Sequence, residues 1–404
     1  MQAKPYTIRE LFFKHIAQTS PSPLGIEIQR ADGVFLYSGD NKKYIDLVSG
    51  VSVSNIGHGN REVIDAVTNQ VEKHMHLMVY GEVIQSPQVE HATLLCSQLP
   101  ESLQSVYYVN SGSEANEAAI KLAKRHTGRY EIISCFNSYH GSSHGTLSLM
   151  SDEGFKNSFR PLLPGVRHIR FNNFEDLSHI SEKSACVIIE PVQGEAGVIL
   201  PVDGYLEALR ERCTKIGALL IFDEIQTGFG RCGKLFAFQK YGVLPDIITL
   251  AKALGGGMPL GGLVASTELM KDWQSNPVLG HITTFGGHPV SCAAALASLK
   301  VLLREDWISS VEERSKQFTE SLVKHPLVKE IRASGLLIAI DLHNPEYAQK
   351  VVPMLLDEGV MGDWFLFSPT AFRIAPPLCI SKDEIGYAVE RVIRVLDKLK
   401  NSDL

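Results

Sequence analysis

Short apolar runs alternate with helical patterns between residues 106 and 265, and no other feature of the sequence constrains the fold as strongly. The first helical pattern, 114–126, is rich in Ala, Glu and Lys, and the second, 204–216, spaces its apolar residues three or four apart. Because strand–helix–strand succession produces parallel strands covered on both faces, we predict an α/β fold with a mainly parallel sheet. The predicted strands are 106–109, 131–135, 185–189, 218–222, 246–250 and 262–265.

The two ends of the chain follow a different pattern. Before residue 55, the stretch GIEIQRADGVFLYSGDNKKYIDL alternates apolar and polar residues around DG and GDN turns, which predicts antiparallel hairpins. After about residue 290, a long helical stretch leads to the strand-like segments LLIAIDL and FRIAPPL. We therefore predict one large domain over residues 56–295 and a small α+β domain built from residues 1–55 and 296–404.

Charge and composition favour small molecules as partners. The 404-residue chain has a formal net charge of -6 and scattered Lys and Arg, so neither nucleic acid nor an anionic membrane surface is an expected partner. No window approaches the roughly 18 uninterrupted apolar residues of a spanning helix, and the start MQAKPYTIRE has no apolar signal region, which predicts a cytoplasmic location. Seven well-separated cysteines without C-x-x-C spacing indicate reduced, mostly buried thiols rather than disulfides or a metal site.

In parallel sheets, ligands bind beyond the carboxyl ends of the strands. The run VYYVNSGSEANEAAIKLAK passes from strand to helix at Ser111-Gly112-Ser113, where free N–H groups and the helix dipole can hold a phosphate. The alternative is a capping box formed by Ser111 and Glu114. A Walker lysine and the G-x-G-x-x-G spacing are both absent from the sequence, which argues against nucleoside triphosphate and dinucleotide sites.

Two charged residues follow other apolar runs. Asp223 comes directly after a buried strand and needs a cationic partner at that depth, although a helix cap or loop aspartate is the alternative. Lys252 lies between a strand and a patch with five glycines in eight positions. In an apolar cleft its amine would have a lowered pKa and could form an imine with a carbonyl, whereas a surface lysine is the alternative. A phosphate site, a buried acid and an imine-forming amine together are the parts that a pyridoxal phosphate (PLP) site needs.

The motifs NSGSEANEAAIK, SYHG, IIEPVQGEAG, DEIQTGFGRCG, TLAKALGGGMPLGG, TTFGGHP and FRIAPPL resemble those of the class III, or ω-, aminotransferases of PLP fold type I. The resemblance includes acetylornithine, ornithine and 4-aminobutyrate aminotransferases and runs from about residue 24 to the C-terminus. It implies a mainly parallel sheet of the seven-stranded type, flanked by helices. It also implies a homodimer with its active site at the subunit interface, and a ping-pong transfer from an ω-amino acid or related amine to 2-oxoglutarate or pyruvate.

The resemblance also implies roles for individual cofactor residues. Lys252 would carry PLP as a Schiff base beside a wall thinned by glycines, and Asp223 would keep the pyridine nitrogen protonated. Gln226 would touch the ring hydroxyl, and Tyr139 would stack on the ring. The further cofactor contacts are Ser111, Gly112, Ser113, His140, Glu190 and, from the neighbouring subunit to the phosphate, Thr284.

The implied substrate residues are Arg373, Glu195, Val51 and Ser142. Arg373 would bind a substrate carboxylate, and Glu195 would pair with it when the substrate lacks one there, although a purely structural ion pair is the alternative. Many ornithine and 4-aminobutyrate members have an arginine after the HG of YHG, where this chain has Ser142 and Ser143. Val51 stands where some ornithine-type members have an aromatic residue. Because the arginine after HG is missing, pyruvate and alanine become candidates beside 2-oxoglutarate and glutamate.

Three other functions are compatible with parts of this pattern. A PLP-dependent aminomutase or amino-acid racemase of the same family would use the same residues without a separate oxo acid. A nicotinamide-dependent dehydrogenase is disfavoured because its glycine fingerprint is missing. A non-catalytic metabolite-binding protein would have little use for an imine-forming lysine.

Overall fold

The computed structural model describes residues 6–40 and 42–401. The start MQAKP and Asn41 of the predicted GDN turn lie outside the described residues, as do residues 402–404. In chain order, the strands are β1 (Ile28–Asp32), β2 (Phe35–Ser38), β3 (Lys43–Asp46), β4 (Ser105–Val109), β5 (Glu131–Cys135), β6 (Val166–Ile169), β7 (Ser184–Ile189), β8 (Leu219–Asp223), β9 (Ile247–Leu250), β10 (Gly261–Ala265), β11 (Val328–Ser334), β12 (Leu337–Leu342), β13 (Val360–Met361), β14 (Asp363–Trp364) and β15 (Ala371–Ile374).

The helices connect these strands and cover the sheets. In chain order they are α1 (Ile8–His15), α2 (Ser49–Ser52), α3 (Arg61–Lys73), α4 (Ser86–Cys96), α5 (Gly112–Thr127), α6 (His144–Ser148), α7 (Glu153–Lys156), α8 (Tyr205–Ile216), α9 (Ala237–Tyr241), α10 (Thr267–Met270), α11 (Pro289–Arg304), α12 (Trp307–Leu322), α13 (Pro345–Asp357) and α14 (Lys382–Asn401). Short 3₁₀ turns cover Asn157–Phe159, Glu175–His179, Lys252–Gly255 and Lys271–Gln274.

The central sheet has seven strands in the order β4-β10-β9-β8-β7-β5-β6. All neighbouring pairs are parallel except those of β10, which runs antiparallel to both β4 and β9. This confirms the predicted mainly parallel sheet, and the six predicted strands lie within one residue of their observed bounds. The seventh strand, β6, was missed because an edge strand needs no continuous apolar run, and VRHI is partly exposed.

Helix α5 positions the strand ends that matter for function. Ser111 caps its start, Glu114 lies in its first turn, and Gly128 ends it with a φ of 66°. Its inward face consists largely of alanines, which allow the helix to pack closely against β7, β9 and β10. Because β4 runs parallel to β9, the start of α5 lies at the same edge of the sheet as the carboxyl ends of β7, β8 and β9.

Two smaller sheets flank the central one. Strands β1, β2 and β3 form the predicted antiparallel hairpins, with Gly33 in the left-handed region at the DG turn, and β13 adds a parallel strand beside β3. The second sheet, β11-β12-β15-β14, is antiparallel throughout. The N-terminal and C-terminal parts of the chain thus share a sheet, while the predicted domain boundaries themselves stay predictions.

A buried arginine joins the chain ends to the central part. The Arg231 side chain donates to the carbonyls of Leu336 at 2.9 Å and Pro376 at 2.6 Å, and to the Asn55 amide oxygen. Burial lowers the pKa of Arg231 to about 10, so the guanidinium stays charged near neutrality. Three chain segments therefore supply the acceptors for one buried cation.

The structure bears on two other expectations. All seven cysteines are free thiols, and all but Cys379 are buried, as predicted. In residues 6–40 and 42–401, no helix combines the length and the apolar character needed to cross a membrane.

Candidate active site

A cavity of about 400 Å³ opens at the carboxyl edge of the central sheet. Its lining combines the start of α5, the turn after β5, the end of β8 and the glycine-rich segment after β9. The structure therefore brings together most of the predicted cofactor residues. Those that line the cavity are Ser111, Gly112, Ser113, Tyr139, His140, Asp223, Gln226 and Lys252.

The start of α5 presents an anion site to this cavity. The Ser111 hydroxyl accepts the Glu114 N–H at 3.2 Å, so the predicted cap is formed, but the Glu114 carboxylate accepts from Asn110 instead of completing a capping box. The N–H groups of Gly112 and Ser113 lie in the first helical turn, where no intrahelical acceptor exists. A Cβ on Gly112 would lie 2.8 Å from Ile225 Cδ1, so glycine is needed for the close packing at this edge.

Asp223 ends β8 as a buried carboxylate with three donors. Its Oδ2 lies 2.8 Å from both His140 Nδ1 and Asn116 Nδ2, and its Oδ1 accepts the Ile225 N–H at 3.1 Å. Where the sequence predicted a cationic partner for the acid, the structure places a histidine and a neutral amide. Asn116 was missed by the sequence prediction, although its position four residues after Gly112 places both on one face of α5. Its amide also donates to the His140 carbonyl at 2.8 Å, which fixes the histidine relative to the acid.

Lys252 follows β9 in a strained conformation. Its φ of 52° lies in the left-handed region, which costs a non-glycine residue about 1–2 kcal/mol. Burial lowers the pKa of its amine below the ordinary 10.5, Arg373 lowers it further, and Glu195 and Asp223 oppose the shift. In the described part of the chain, this amine has no hydrogen-bond or ion-pair partner. The structure therefore offers an amine that is available as a nucleophile.

The glycines after Lys252 serve packing as well as access. A Cβ on Gly261 would lie 2.2 Å from the Ser111 carbonyl oxygen, and one on Gly256 would lie 2.8 Å from the Ala294 carbonyl oxygen. Of the five glycines in this described segment, Gly257 alone lines the cavity. Only Gly257 of these five therefore brings bare backbone to the cavity, as the resemblance implied. Gly256 and Gly261 instead allow close packing against the neighbouring backbone.

Glu190 and Gly141 position the Tyr139 turn. The buried Glu190 carboxylate accepts from the N–H groups of Tyr139 at 3.2 Å and Gly194 at 3.1 Å, and burial raises its pKa to about 7. Gly141 has a φ of 128°, and a Cβ there would lie 1.9 Å from Ser113 Oγ. Ser113 Oγ in turn accepts the Ser142 N–H at 3.0 Å. The turn that carries Tyr139 is thereby attached to the start of α5.

Arg373 and Glu195 meet beside the cavity. Arg373 Nη2 donates to Glu195 Oε1 at 2.6 Å, and Gln226 Nε2 donates to the same oxygen at 3.2 Å. Burial alone would raise the pKa of Glu195, but the positive charges of Arg373 and Lys252 outweigh it and lower the pKa. Glu195 is therefore an ionised carboxylate that occupies one arm of the arginine.

Besides Arg373 and Glu195, four predicted residues do not line this cavity. Glu190 lies behind the Tyr139 turn, and the exposed Ser142 reaches the Tyr139 hydroxyl at 3.0 Å. Val51 lies in α2 with a φ of 61°, and Val53, which was not predicted, lines the cavity instead. The Thr284 side chain is exposed, and its carbonyl accepts from His76 Nε2 at 2.9 Å.

The residues that line the cavity have the chemistry needed to hold PLP. The N–H groups that start α5 suit a phosphate, the Asp223 carboxylate suits a protonated ring nitrogen, and the Lys252 amine suits an aldehyde. The Gln226 amide oxygen is buried without a partner, as is His140 Nε2, so polar groups are left for a ligand. A group of three or more His, Cys, Asp or Glu side chains that could hold a metal does not occur in the described ranges.

Comparisons with known proteins agree with this geometry. A sequence profile described as aminotransferase class-III matches residues 16–396. The acetylornithine aminotransferase of Methanocaldococcus jannaschii is 37% identical over 392 residues, covering 93% of this chain and 95% of that protein. A transaminase structure from the marine bacterium Virgibacillus has a TM-score of 0.91 at 28% identity and covers 98% of this chain and 99% of its own. Taurine:2-oxoglutarate aminotransferase from Bifidobacterium kashiwanohense, solved with PLP and glutamate, has a TM-score of 0.88 at 31% identity and covers 97% of each chain.

The lowered pKa of Lys252 can be measured on cofactor-free protein. The rate of acylation of this amine as a function of pH, followed by peptide mass spectrometry, should have its midpoint below 10.5, because burial disfavours the ammonium form. The exposed Lys382 of the same sample provides the reference for reagent behaviour. A midpoint for Lys252 at or above 10.5 would contradict the burial argument.

Proposed function

Because this chain belongs to the class III aminotransferase family, whose cofactor is PLP, we propose that it transfers an amino group from an ω-amino acid or related amine to a 2-oxo acid. Its fold is that of the PLP fold type I transaminases, as the sequence motifs implied. The observation that carries the proposal is that Lys252 and Asp223 line the same cavity as Gly112 and Ser113, whose N–H groups lie at the start of α5.

The residues of the cavity divide the work among them. When bound, PLP supplies an electrophilic aldehyde carbon and a ring that stabilises negative charge on the carbon next to the amine. The N–H groups of Gly112 and Ser113 would hold the phosphate, and Asp223 would hold the ring nitrogen in its protonated form. Tyr139 would cover one face of the ring, and the Gln226 amide would contact the ring hydroxyl.

Lys252 is the proposed acid and base. Burial lowers the pKa of its amine and so increases the share of the neutral form, which can take a proton from the donor carbon that bears the amino group. With PLP bound, the resulting ammonium would hold that proton at Nζ and would deliver it as the acid of the second step. The same two roles in reverse serve the 2-oxo acid, so one residue suffices for both halves of a ping-pong reaction.

The Arg373–Glu195 pair would allow one pocket to accept two kinds of substrate. With Glu195 on Nη2, the guanidinium is neutralised for a donor that has no carboxylate there; with Glu195 displaced, a 2-oxo acid can bind through its carboxylate. The names of two relatives, acetylornithine aminotransferase and taurine:2-oxoglutarate aminotransferase, bring acetylornithine, taurine and 2-oxoglutarate in as candidate substrates. The serine at position 142 keeps pyruvate as a candidate acceptor.

Assembly as a homodimer is the part of the proposal that concerns Thr284. This residue lies on the surface, close to a row of exposed apolar side chains in the segments around residues 75–84 and 278–285. Exposed fractions reach 92% for Ile84, 68% for Val278 and 63% for Met75, and the two segments meet where the His76 and Phe285 rings lie 4.9 Å apart. Exposed apolar side chains in such number are typical of interfaces. A second subunit covering this surface could bring Thr284 to the phosphate. We also place the chain in the cytoplasm, in keeping with its free cysteines.

Replacing Lys252 with alanine tests the main proposal. Lys252→Ala should lower turnover of an ω-amine with pyruvate or 2-oxoglutarate by at least about 100-fold, because the variant has no group to move the proton. Cofactor retention after dialysis should remain measurable through the phosphate and Asp223 contacts. Lys382→Ala, at an exposed lysine paired with Glu313, serves as the matched control. Unchanged turnover in Lys252→Ala would remove this residue from the mechanism, and sustained turnover of one amino acid without any oxo acid would favour a mutase or racemase.

The acceptor preference follows from position 142. Wild-type kcat/KM for 2-oxoglutarate should not greatly exceed that for pyruvate, since no arginine stands there for a second carboxylate. Ser142→Arg should raise the ratio of 2-oxoglutarate to pyruvate by about tenfold or more, the usual value of a charged hydrogen bond. Ser142→Gln adds length without charge and should leave the ratio near that of the wild type. Strong 2-oxoglutarate selectivity in the unmodified protein would show that another residue binds the second carboxylate.

The dimer can be tested by ultracentrifugation. The wild type should sediment as a dimer, and Ile84→Asp should shift the population toward monomer because a charge would be buried in an apolar interface. Val202→Asp, at an exposed valine far from both segments in the sequence, is the control. A monomeric wild type that is fully active would contradict a shared active site.

A further inference from the structure

A second carboxylate lies beside the substrate arginine. Asp363 and Arg373 are directly opposite each other on the antiparallel strands β14 and β15, so their side chains share one face of the sheet. Asp363 Oδ2 is 3.6 Å from Arg373 Nη1 and makes no hydrogen bond with it. Arg373 therefore has the Glu195 carboxylate hydrogen-bonded to Nη2 and the Asp363 carboxylate close to Nη1. The sequence reading gave Asp363 no role.

The open atoms of Arg373 show where a ligand would bind. The side chain is fully buried, and its Nε and Nη1 have no acceptor among the described residues. The Phe365 ring lies 4.6 Å from the guanidinium carbon and supports one face of its plane. A buried arginine with two unsatisfied nitrogens suits an incoming carboxylate, which would approach the arm that faces Asp363.

The local charge is unfavourable for that carboxylate. Glu195 and Asp363, the two acids within 4 Å of Arg373, together carry two negative charges against its single positive charge when all are ionised, and Lys252 adds an opposing charge to both acids when it is protonated. Displacement of Glu195 would free Nη2, whereas the strand pairing keeps the Asp363 backbone opposite Arg373 and its carboxylate 3.6 Å from Nη1 in this structure. Burial raises the pKa of Asp363, Arg373 opposes that shift, and the charge of Glu195 adds to it only as a smaller contribution.

We propose that Asp363 is a specificity-determining residue: it weakens the hold of Arg373 on carboxylates and so favours donors whose reacting carbon bears no carboxylate. The substrate class is therefore an ω-amine rather than an α-amino acid, with a 2-oxo acid acceptor that binds weakly. This inference rests on the proposed function. It depends on the long, non-hydrogen-bonded contact, which adds charge without orienting the guanidinium.

An anchoring role would have the opposite sign. If Asp363 held Arg373 in place for the substrate, its removal would weaken carboxylate binding. If it competes, its removal strengthens binding. The Phe365 ring and full burial orient Arg373 independently of Asp363, and they would remain when Glu195 is displaced. Competition is the reading that these contacts support.

The test uses propionate, a monocarboxylate without an oxo or amino group, titrated into PLP-loaded Asp363→Asn and wild type by calorimetry. The variant keeps the shape of the side chain and loses its charge. Propionate should bind about fivefold tighter to the variant, a value reduced from the full Coulomb term because Asp363 is 32% exposed. In parallel, the KM for pyruvate should fall by a similar factor, while the KM for an ω-amine donor stays unchanged.

Two further variants keep the result interpretable. Asp341→Asn removes another carboxylate from the same sheet, one paired with Arg332 at 2.8 Å, and should leave propionate affinity as in the wild type. Asp363→Ser replaces Asp363→Asn if the latter does not fold. Weaker or equal propionate binding in the Asp363 variants, or no propionate binding to either protein, would overturn the inference. If the Asp363 variants bind propionate more tightly but the protein transfers no amino group, the role of Asp363 is supported and only the proposed function is contradicted.

Discussion

A carboxylate buried at the end of a parallel strand is the interaction on which this site depends. Asp223 is held by His140, by Asn116 and by a backbone N–H, and these donors come from different parts of the central domain. Because losing one partner of a buried charge costs about 3–5 kcal/mol, the start of α5, the Tyr139 turn and the end of β8 are fixed relative to one another. The N–H groups of Gly112 and Ser113 and the Tyr139 ring are positioned as a consequence.

Close backbone packing at the same edge of the sheet brings the elements around Lys252 together. Gly112 lets α5 lie against Ile225, Gly141 lets the Tyr139 turn lie against Ser113, and Gly261 lets β10 lie against Ser111. Side chains at these positions would separate the elements that must converge on Lys252. The strained φ of Lys252 belongs to the same packing, since strained backbone persists only where its surroundings impose it.

Electrostatics around Arg373 link the site to the sheet formed by the C-terminal part of the chain. This buried arginine is contacted by Glu195 from the segment after β7 and faces Asp363 from β14. Both acids and Lys252 influence one another: Arg373 and Lys252 lower the pKa of Glu195, and the pKa of Asp363, raised mainly by burial, is also raised by Glu195 and lowered by Lys252. The proposed substrate preference therefore rests on a cluster of charges rather than on one residue.

The sequence by itself determined the positions of six strands of the central sheet and predicted the residues proposed for the chemistry. Strands buried on both faces must be apolar, and a polar residue directly after such a run must serve a purpose, which identified Asp223 and Lys252. Only the tertiary structure decided the edge strand β6, the antiparallel placement of β10, the contact of Asn116 with Asp223, and Val53 rather than Val51 at the cavity. It also decided the position of Asp363 beside Arg373. These features depend on which distant segments pair and how closely they pack, and local patterns of polarity do not encode such long-range contacts.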